Sequence, residues 1–114
     1  MALILCNHDI QGLLELDDYI EAVELGYREE GNGRAFNFPR KCAWFEADGG
    51  VHADRDRRPE GLPALKFKGA AISSINAAGL NVYTTGMSGP LQTFQLLFDT
   101  VTGELLSIME VLYY

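Results

Sequence analysis

The segment from Ala78 to Glu110 constrains the fold of this chain more than any other. Apolar and polar residues alternate from Leu91 to Asp99, a turn is predicted at Thr102-Gly103, and a strand returns from Glu104 to Val111. Two strands joined by a short turn form an antiparallel pair, which is stable only when further elements cover its apolar side. We therefore predict a β-ribbon against which the rest of the chain packs.

A strand and two helices are predicted before this ribbon. The apolar run Ala2–Cys6 suits a buried strand, and a brief helix follows it. Asp18 and Glu21 have the spacing of a capping box, which predicts that a longer helix begins at Asp18. Gly31-Asn32-Gly33 ends that helix, because glycine and asparagine accept the left-handed conformation that follows a helix.

Three more strands are predicted between the helices and the ribbon, within 41–47, 62–74 and 80–85, and 53–61 is predicted to be an exposed loop. The alternation places Cys42 and Trp44 on one face of their strand. The summed prediction is a single α+β domain spanning 1–114, with a mixed, mostly antiparallel sheet and the two N-terminal helices on one face.

Composition limits the possible partners. The chain of 114 residues has a formal net charge of −7, which argues against nucleic acid, because binding to phosphates depends on Lys and Arg. No apolar run is long enough for a membrane helix, so we expect a soluble, cytoplasmic protein that binds no membrane. Cys6 and Cys42 are expected to be reduced, buried thiols, and His8 and His52 are too isolated to predict a metal site.

The ribbon also carries motifs that resemble the N-terminal domain of the ornithine cyclodeaminase and mu-crystallin family. Pro39-Arg40 and the acidic helix agree with the family more loosely, so the resemblance covers almost the whole chain. The motifs that carry it follow one another in the family's order: Gly79–Tyr83, Phe94–Asp99, Thr102–Leu106 and Ile108–Glu110.

The resemblance implies a fold and a chemistry. In that family the N-terminal domain holds a mixed sheet that forms the dimer interface and supplies substrate-binding side chains, while a following Rossmann domain binds NAD(P). The shared reaction is hydride transfer at an amino or imino carbon. For this chain the resemblance implies a homodimer formed through the sheet, and a small carboxylate-bearing ligand such as an amino or keto acid.

Two departures from the family pattern argue against catalysis by this chain alone. No G-x-G-x-x-G occurs in the sequence, so we predict no cofactor, and a hydride-transfer enzyme depends on its cofactor for the chemistry. The family's catalytic lysine falls on Asn81, and asparagine can act neither as a base nor as a cation. Lys66 or Lys68 replaces that lysine only if the register is displaced. We therefore predict no catalytic residue.

The resemblance implies that Arg40 contacts the substrate and that Asn81 occupies the position of the family's lysine. Tyr83 and Thr85 are on the same strand face as Asn81, so we expect all four residues to line one substrate pocket. An arginine that follows proline at this point in the family faces the substrate carboxylate, and its two parallel donors match that group. The alternative for Arg40 is a solvated side chain paired with a local acid such as Glu46. The alternative for Tyr83 is packing.

Three functional hypotheses remain open. The first is a stand-alone, non-catalytic domain that acts as a dimeric interaction or small-ligand-binding module. The second is a fragment or half of an NAD(P)-dependent amino-acid cyclodeaminase, dehydrogenase or ketimine reductase. The third and weakest is cofactor-free catalysis by Arg40, Asp99 and a neighbouring lysine. Asp99 is more simply explained as a turn-former.

Overall fold

A computed structural model of the chain describes residues 2–46, 49–53, 62–89 and 92–111. Helices and strands follow one another as an α+β protein, as predicted from the sequence. The elements are β1 (Leu3–Leu5), α1 (Asn7–Ile10), α2 (Leu16–Gly31), β2 (Ala35–Phe45), β3 (Val51–Ala53), β4 (Ala64–Ile72), a 3-10 turn (Ser73–Ile75), β5 (Ala77–Thr85), β6 (Thr93–Asp99) and β7 (Leu105–Val111).

The strands form one sheet in the order β1-β7-β6-β5-β4-β2-β3. Every pairing is antiparallel except that of β1 with β7, so the prediction of a mixed, mostly antiparallel sheet is confirmed. The ribbon is β6 paired with β7. Asp99 forms its turn, because Oδ1 accepts the N–H groups of Val101 at 2.8 Å and Thr102 at 3.2 Å.

Helix α2 begins earlier than predicted, at Leu16 instead of Asp18. The N–H of Glu15 donates to Oδ2 of Asp18 at 2.8 Å, so Asp18 is the acid inside the first turn and not the residue that precedes the helix. The spacing rule correctly placed Asp18 in a capping box. It took Asp18 for the residue that precedes the helix, whereas Asp18 is the acid three positions after that residue. The predicted end is confirmed: the helix stops at Gly31, and Gly33 has a φ of +75°.

The two helices contact opposite edges of the sheet. Helix α1 touches β1 and β7, whereas α2 touches β2 and β4. The apolar stripe of α2 stays largely exposed, because its side chains are 49–74% exposed: Leu16, Tyr19, Ile20, Val23 and Tyr27. That both helices lie on one face of the sheet stays a prediction.

The strand register divides the side chains of the sheet between two faces. We call the first the cavity face. The buried residues of the sheet all lie on this face: Cys42, Trp44, Ala64, Lys66, Thr93 and Ser107. We call the second the phenylalanine face, because it carries five phenylalanines that are 36–59% exposed: Phe36, Phe38, Phe67, Phe94 and Phe98.

Two expectations about burial are wrong. The opening strand is an edge strand that pairs only with β7, and Ile4 is 80% exposed. Cys6 is exposed, and its thiol lies 3.1 Å from Oδ2 of Asp9. Cys42 is buried as predicted, and neither cysteine is in a disulfide.

Residues 54–61, which make up almost all of the predicted exposed loop, lie outside the described residues, so that prediction stays as it was. Neither helix in the described part of the chain is long and apolar enough to cross a membrane.

Candidate functional site

A row of four side chains runs across the cavity face. Lys68 on β4 is opposite Asn81 on β5, Asn81 is opposite Gln95 on β6, and Gln95 is opposite Met109 on β7. Directly opposed residues in an antiparallel sheet have Cβ atoms about 4.5–5.5 Å apart, so neighbours in the row can touch the same small molecule. Three polar side chains therefore line up beside one apolar side chain.

Arg40 enters the same region from a β-bulge. The register of β2 against β4 shifts between Phe38 and Lys41, which places Arg40 and the proline before it opposite Lys68. Pro39 has no N–H to offer a ladder, and a bulge is one of the few places where a strand tolerates proline. The bulge therefore accommodates Pro39 and directs Arg40 towards the row.

These residues line a cavity of about 660 Å³. Glycine at position 79 contributes to the space, since a Cβ there would approach the carbonyl oxygen of Leu96 to 3.3 Å. The described lining contains two cationic side chains, three amides and no acidic side chain: Asn37, Phe38, Arg40, Lys68, Gly69, Ala70, Ile72, Ala77, Gly79, Leu80, Asn81, Gln95, Leu96, Leu97 and Met109.

The structure brings together two of the four predicted substrate-binding residues. Arg40 and Asn81 line the cavity, whereas Tyr83 and Thr85 lie further along the same face of β5 and are not among its described lining residues. Tyr83 is opposite Lys66 and packs beside it, as the packing alternative holds. The assignment of all four to substrate binding stays a prediction.

Glu46 is the local acid that the alternative for Arg40 names as its partner. It lies 3.1 Å from Nε2 of His52, in a contact between the end of β2 and β3. This contact gives Glu46 a cationic neighbour whenever the imidazole is protonated.

Gln95 is a site residue that the sequence analysis did not identify, and Lys68 entered it only as a replacement for the family's lysine in a displaced register. Lys68 precedes Asn81 by thirteen positions in the sequence, yet the β4–β5 hairpin makes the two residues direct neighbours. A cation therefore lies beside Asn81, the residue on which the resemblance places the family's lysine. Only the pairing of β4 with β5 shows this, because the two strands are joined through the 3-10 turn at Ser73–Ile75 and not by a tight hairpin of recognisable sequence.

Lys66 is the second lysine on the cavity face, and it serves a different purpose. Its side chain is buried, with the residue 2% exposed, and it is not among the described lining residues of the cavity. The Nζ atom lies 5.2 Å from the centre of the Trp44 ring and 6.0 Å from that of Tyr83. Aromatic faces attract a cation at these distances, so the two rings compensate part of the cost of burying the charge.

One carboxylate lies near the cavity without lining it. Oε2 of Glu30, on α2, accepts a hydrogen bond from Nδ2 of Asn37 at 2.9 Å. Glu30 itself lines a second, smaller cavity of about 260 Å³ between α2 and the ends of β2 and β4. Glu30 thus orients the amide of Asn37 in the larger cavity.

The described residues do not fit a dinucleotide. Such a site needs a strand, a glycine-rich turn and a helix whose N-terminus faces the pyrophosphate. The one parallel pair in the described sheet joins β1 to β7, with every other element between them in sequence. The described residues also contain no group of three or more His, Cys, Asp or Glu that could hold a metal ion.

Comparison with models of known protein families and with curated protein sequences finds no match. Comparison with solved structures does. The chain is similar to a probable ornithine cyclodeaminase from Bordetella pertussis Tohama I, with a TM-score of 0.71 and 23% identity over 96% of this chain. It is also similar to the iminosuccinate reductase of Paracoccus denitrificans in complex with NAD⁺, with a TM-score of 0.70 and 21% identity over 96% of this chain.

The chain spans about a third of the length of these two proteins, 30% and 32% respectively. Identities of this size establish the fold and leave the activity open. The resemblance to the ornithine cyclodeaminase and mu-crystallin family that the closing ribbon indicates is therefore confirmed at the level of the fold: this chain folds as a part of such proteins folds.

Proposed function

We propose that this chain is the ligand-binding sheet domain of an ornithine cyclodeaminase-like protein, and that it binds a small carboxylate in the cavity. The observation that carries the proposal is that Arg40, Lys68 and Asn81 line one cavity. Two of these residues were predicted from the family, and the third is the cation that stands beside the position of the missing lysine.

The chemistry of the lining supports a carboxylate. A guanidinium can donate two parallel hydrogen bonds to one carboxylate, and an ammonium adds a compact charge at short range. Asn81 and Gln95 offer amide groups that can both donate and accept. Met109 and Leu97 provide apolar contact for a short carbon chain. Both solved neighbours are named for amino or imino acids, which share a carboxylate.

Heteronuclear NMR with pyruvate and alanine tests the proposal. We expect saturable shifts in the backbone amides of β4 and β5 around Lys68 and Asn81. Arg40→Ala should weaken binding at least tenfold, because the bidentate contact is lost. Lys41→Ala is the matched control, since Lys41 is the next residue of the same strand and lies on the phenylalanine face. Absence of saturable shifts with any small carboxylate would contradict the proposal.

A second candidate is that the chain works as one part of an NAD(P)-dependent enzyme. It is favoured by the fold and by the greater length of the two solved neighbours, one of which holds NAD⁺. Calorimetric titration of the chain with NADH and NADPH separates the two candidates. The binding-module proposal expects no heat of binding, whereas micromolar affinity for either dinucleotide would favour the enzyme.

We further propose that a second copy of this chain covers the phenylalanine face. Aromatic side chains carry roughly 150–250 Å² each, so five phenylalanines exposed to 36–59% leave on the order of 450 Å² of apolar surface. A stable interface buries about 800 Å² on each partner, so these side chains alone supply more than half of it. A two-fold axis would place this face against itself.

Light scattering at micromolar concentration tests the dimer. We expect a dimer for the natural sequence and a monomer for Phe94→Asp, because a carboxylate in place of an aromatic ring of this face would be buried without a partner. Leu13→Asp is the control, since Leu13 is an exposed apolar residue that precedes α2 and is not on the sheet. A natural sequence that stays monomeric at these concentrations would disprove the assignment of this face.

A further inference from the structure

We infer that the apolar stripe of α2 belongs to the same interface as the phenylalanine face, and that a second copy of this chain covers both. The inference rests on the proposed dimer and adds a second element to its contact surface. The side chains of the stripe recur with helical period and are 49–74% exposed: Leu16, Tyr19, Ile20, Val23 and Tyr27.

The exposure of this stripe is unusual for a surface helix. Such a helix normally turns its apolar side towards the core of its own chain and its polar side towards water. In α2 the buried residue is instead Glu29, which forms an ion pair with Nε of Arg34 at 2.7 Å. The contacts of α2 with the described part of the chain therefore do not account for its apolar side.

The stripe and the phenylalanine face meet at Phe36. Val23 and Tyr27 of the stripe line the smaller cavity of about 260 Å³ together with Phe36. The ring of Phe36 packs edge-on against that of Phe38, with the ring centres 5.0 Å apart and an angle of 76° between the planes. Phe36 thus joins the two surfaces into one continuous apolar patch.

The area of this combined patch matches what a dimer needs. Two tyrosines and three aliphatic side chains at these exposures add on the order of 400 Å² to the roughly 450 Å² of the phenylalanine face. The largest apolar patch on a typical monomer is only about 300–600 Å². A stable interface buries about 800 Å² on each partner, so the stripe supplies the part that the phenylalanine face lacks.

The charge of α2 indicates which surface of the second copy the stripe contacts. The helix contains six acidic residues and one arginine: Asp17, Asp18, Glu21, Glu24, Glu29, Glu30 and Arg28. Two copies of α2 side by side would bring these acids together, and like charges repel. The stripe therefore packs on the phenylalanine face of the second copy, while the acids beside it form a polar rim in water. A two-fold axis produces this contact twice.

Sedimentation equilibrium tests the inference, because it measures the dissociation constant of the dimer. Val23→Asp would bury a carboxylate without a partner in the stripe, so it should raise that constant by about tenfold or more. Val23→Ile keeps the apolar contact and should change the constant by less than about threefold. Ala22→Asp is the matched control with the same small effect, because it adds the same carboxylate to α2 at an exposed position outside the stripe.

A soluble gadolinium chelate gives a second measurement, in which the stripe keeps its natural sequence. The chelate speeds the relaxation of NMR signals from nuclei that solvent can reach. Side-chain signals of Tyr19 and Tyr27 should relax more slowly in the dimer than in the monomeric Phe94→Asp variant, because the second copy shields them. Equal relaxation in the dimer and the monomer would overturn the inference.

The outcomes separate the inference from the proposed dimer. If Val23→Asp dimerises as tightly as the natural sequence, the stripe is outside the interface and the assignment of the phenylalanine face stands. If Ala22→Asp weakens the dimer as much as Val23→Asp, the added charge and not the stripe is responsible, and the inference fails. A natural sequence that stays monomeric at micromolar concentration would refute the proposed dimer itself.

Discussion

Replacing Gly69 with alanine tests how tightly β4 and β5 are joined at the site. A Cβ built on Gly69 would lie 2.8 Å from the carbonyl oxygen of Gly79, about 0.6 Å short of the 3.4 Å at which ordinary contact begins. The oxygen belongs to the backbone and cannot rotate away. The two strands would have to separate by about that distance, beside the residues that line the cavity.

The loss of stability in Gly69→Ala can be estimated from the hydrogen bonds between β4 and β5. Lengthening a hydrogen bond of about 2.9 Å by 0.6 Å brings it to the limit of a hydrogen bond. Forcing an additional carbon into a packed position costs roughly 1–3 kcal/mol, while alanine recovers about 0.4–1 kcal/mol by restricting the unfolded chain. We expect Gly69→Ala to lower the free energy of unfolding by about 1–2 kcal/mol, with a fall in melting temperature of roughly 5–10 °C.

Urea denaturation of the purified chain measures this change. Gly89→Ala is the control, because its Cβ would meet nothing within 4 Å and its backbone is not left-handed. We expect that control to match or slightly exceed the natural sequence in stability. If Gly69→Ala and Gly89→Ala unfold at the same urea concentration, the close approach of β4 and β5 does not exist in solution.

Three further changes are expected to have measurable results. Gly26 is inside α2, and a Cβ there would meet nothing within 4 Å, so Gly26→Ala should raise the free energy of unfolding in urea by about 0.5–1 kcal/mol. A loss of stability would contradict the placement of that helix. Asn76 has a φ of +54°, so Asn76→Val should lower the free energy of unfolding in urea by about 1–2 kcal/mol, whereas Asn76→Gly should leave it almost unchanged. Equal effects of the two substitutions would refute the left-handed conformation of Asn76. Hydrogen bonds from the backbone N–H and the thiol of Cys6 hold the pKa of Asp9 below its ordinary value of 3.8. The contribution of Asp9 to the free energy of unfolding is therefore present above pH 3.8 and is lost as the pH falls through the lowered pKa. An NMR titration of Asp9 with a midpoint at or above 3.8 would contradict these contacts.

The ribbon and the end of α2 were predictable because their signals are local. The turn between β6 and β7 needs only an aspartate that can accept two N–H groups and a glycine at φ +77°, and these residues, Asp99 and Gly103, are four positions apart in the sequence. The start of α2 was missed by two residues because one spacing of acids fits two positions of the capping motif.

Only some of the residues that line the cavity could be predicted from the sequence, because the pairing register of the strands decides which side chains come together there. Arg40 and Asn81 were identified by resemblance to a family, whereas Lys68 became a site residue only through its pairing with Asn81. Alternation in β4 separates Leu65 and Phe67 from Lys66 and Lys68, but it cannot tell which set faces inward. In the structure the buried residue is Lys66, beside two aromatic rings, and Phe67 is exposed on the phenylalanine face.

The pairing of β1 with β7 has a consequence for the order in which the protein folds. Leu3 pairs with Ser107, so more than a hundred residues separate two partners in one ladder. Closing so long a loop is entropically costly, and such contacts form late in folding. During synthesis β1 leaves the ribosome before β7 and cannot pair until β7 has been made. We expect its amides to exchange with solvent faster than those of β4 and β5, whose partners follow at once in the chain.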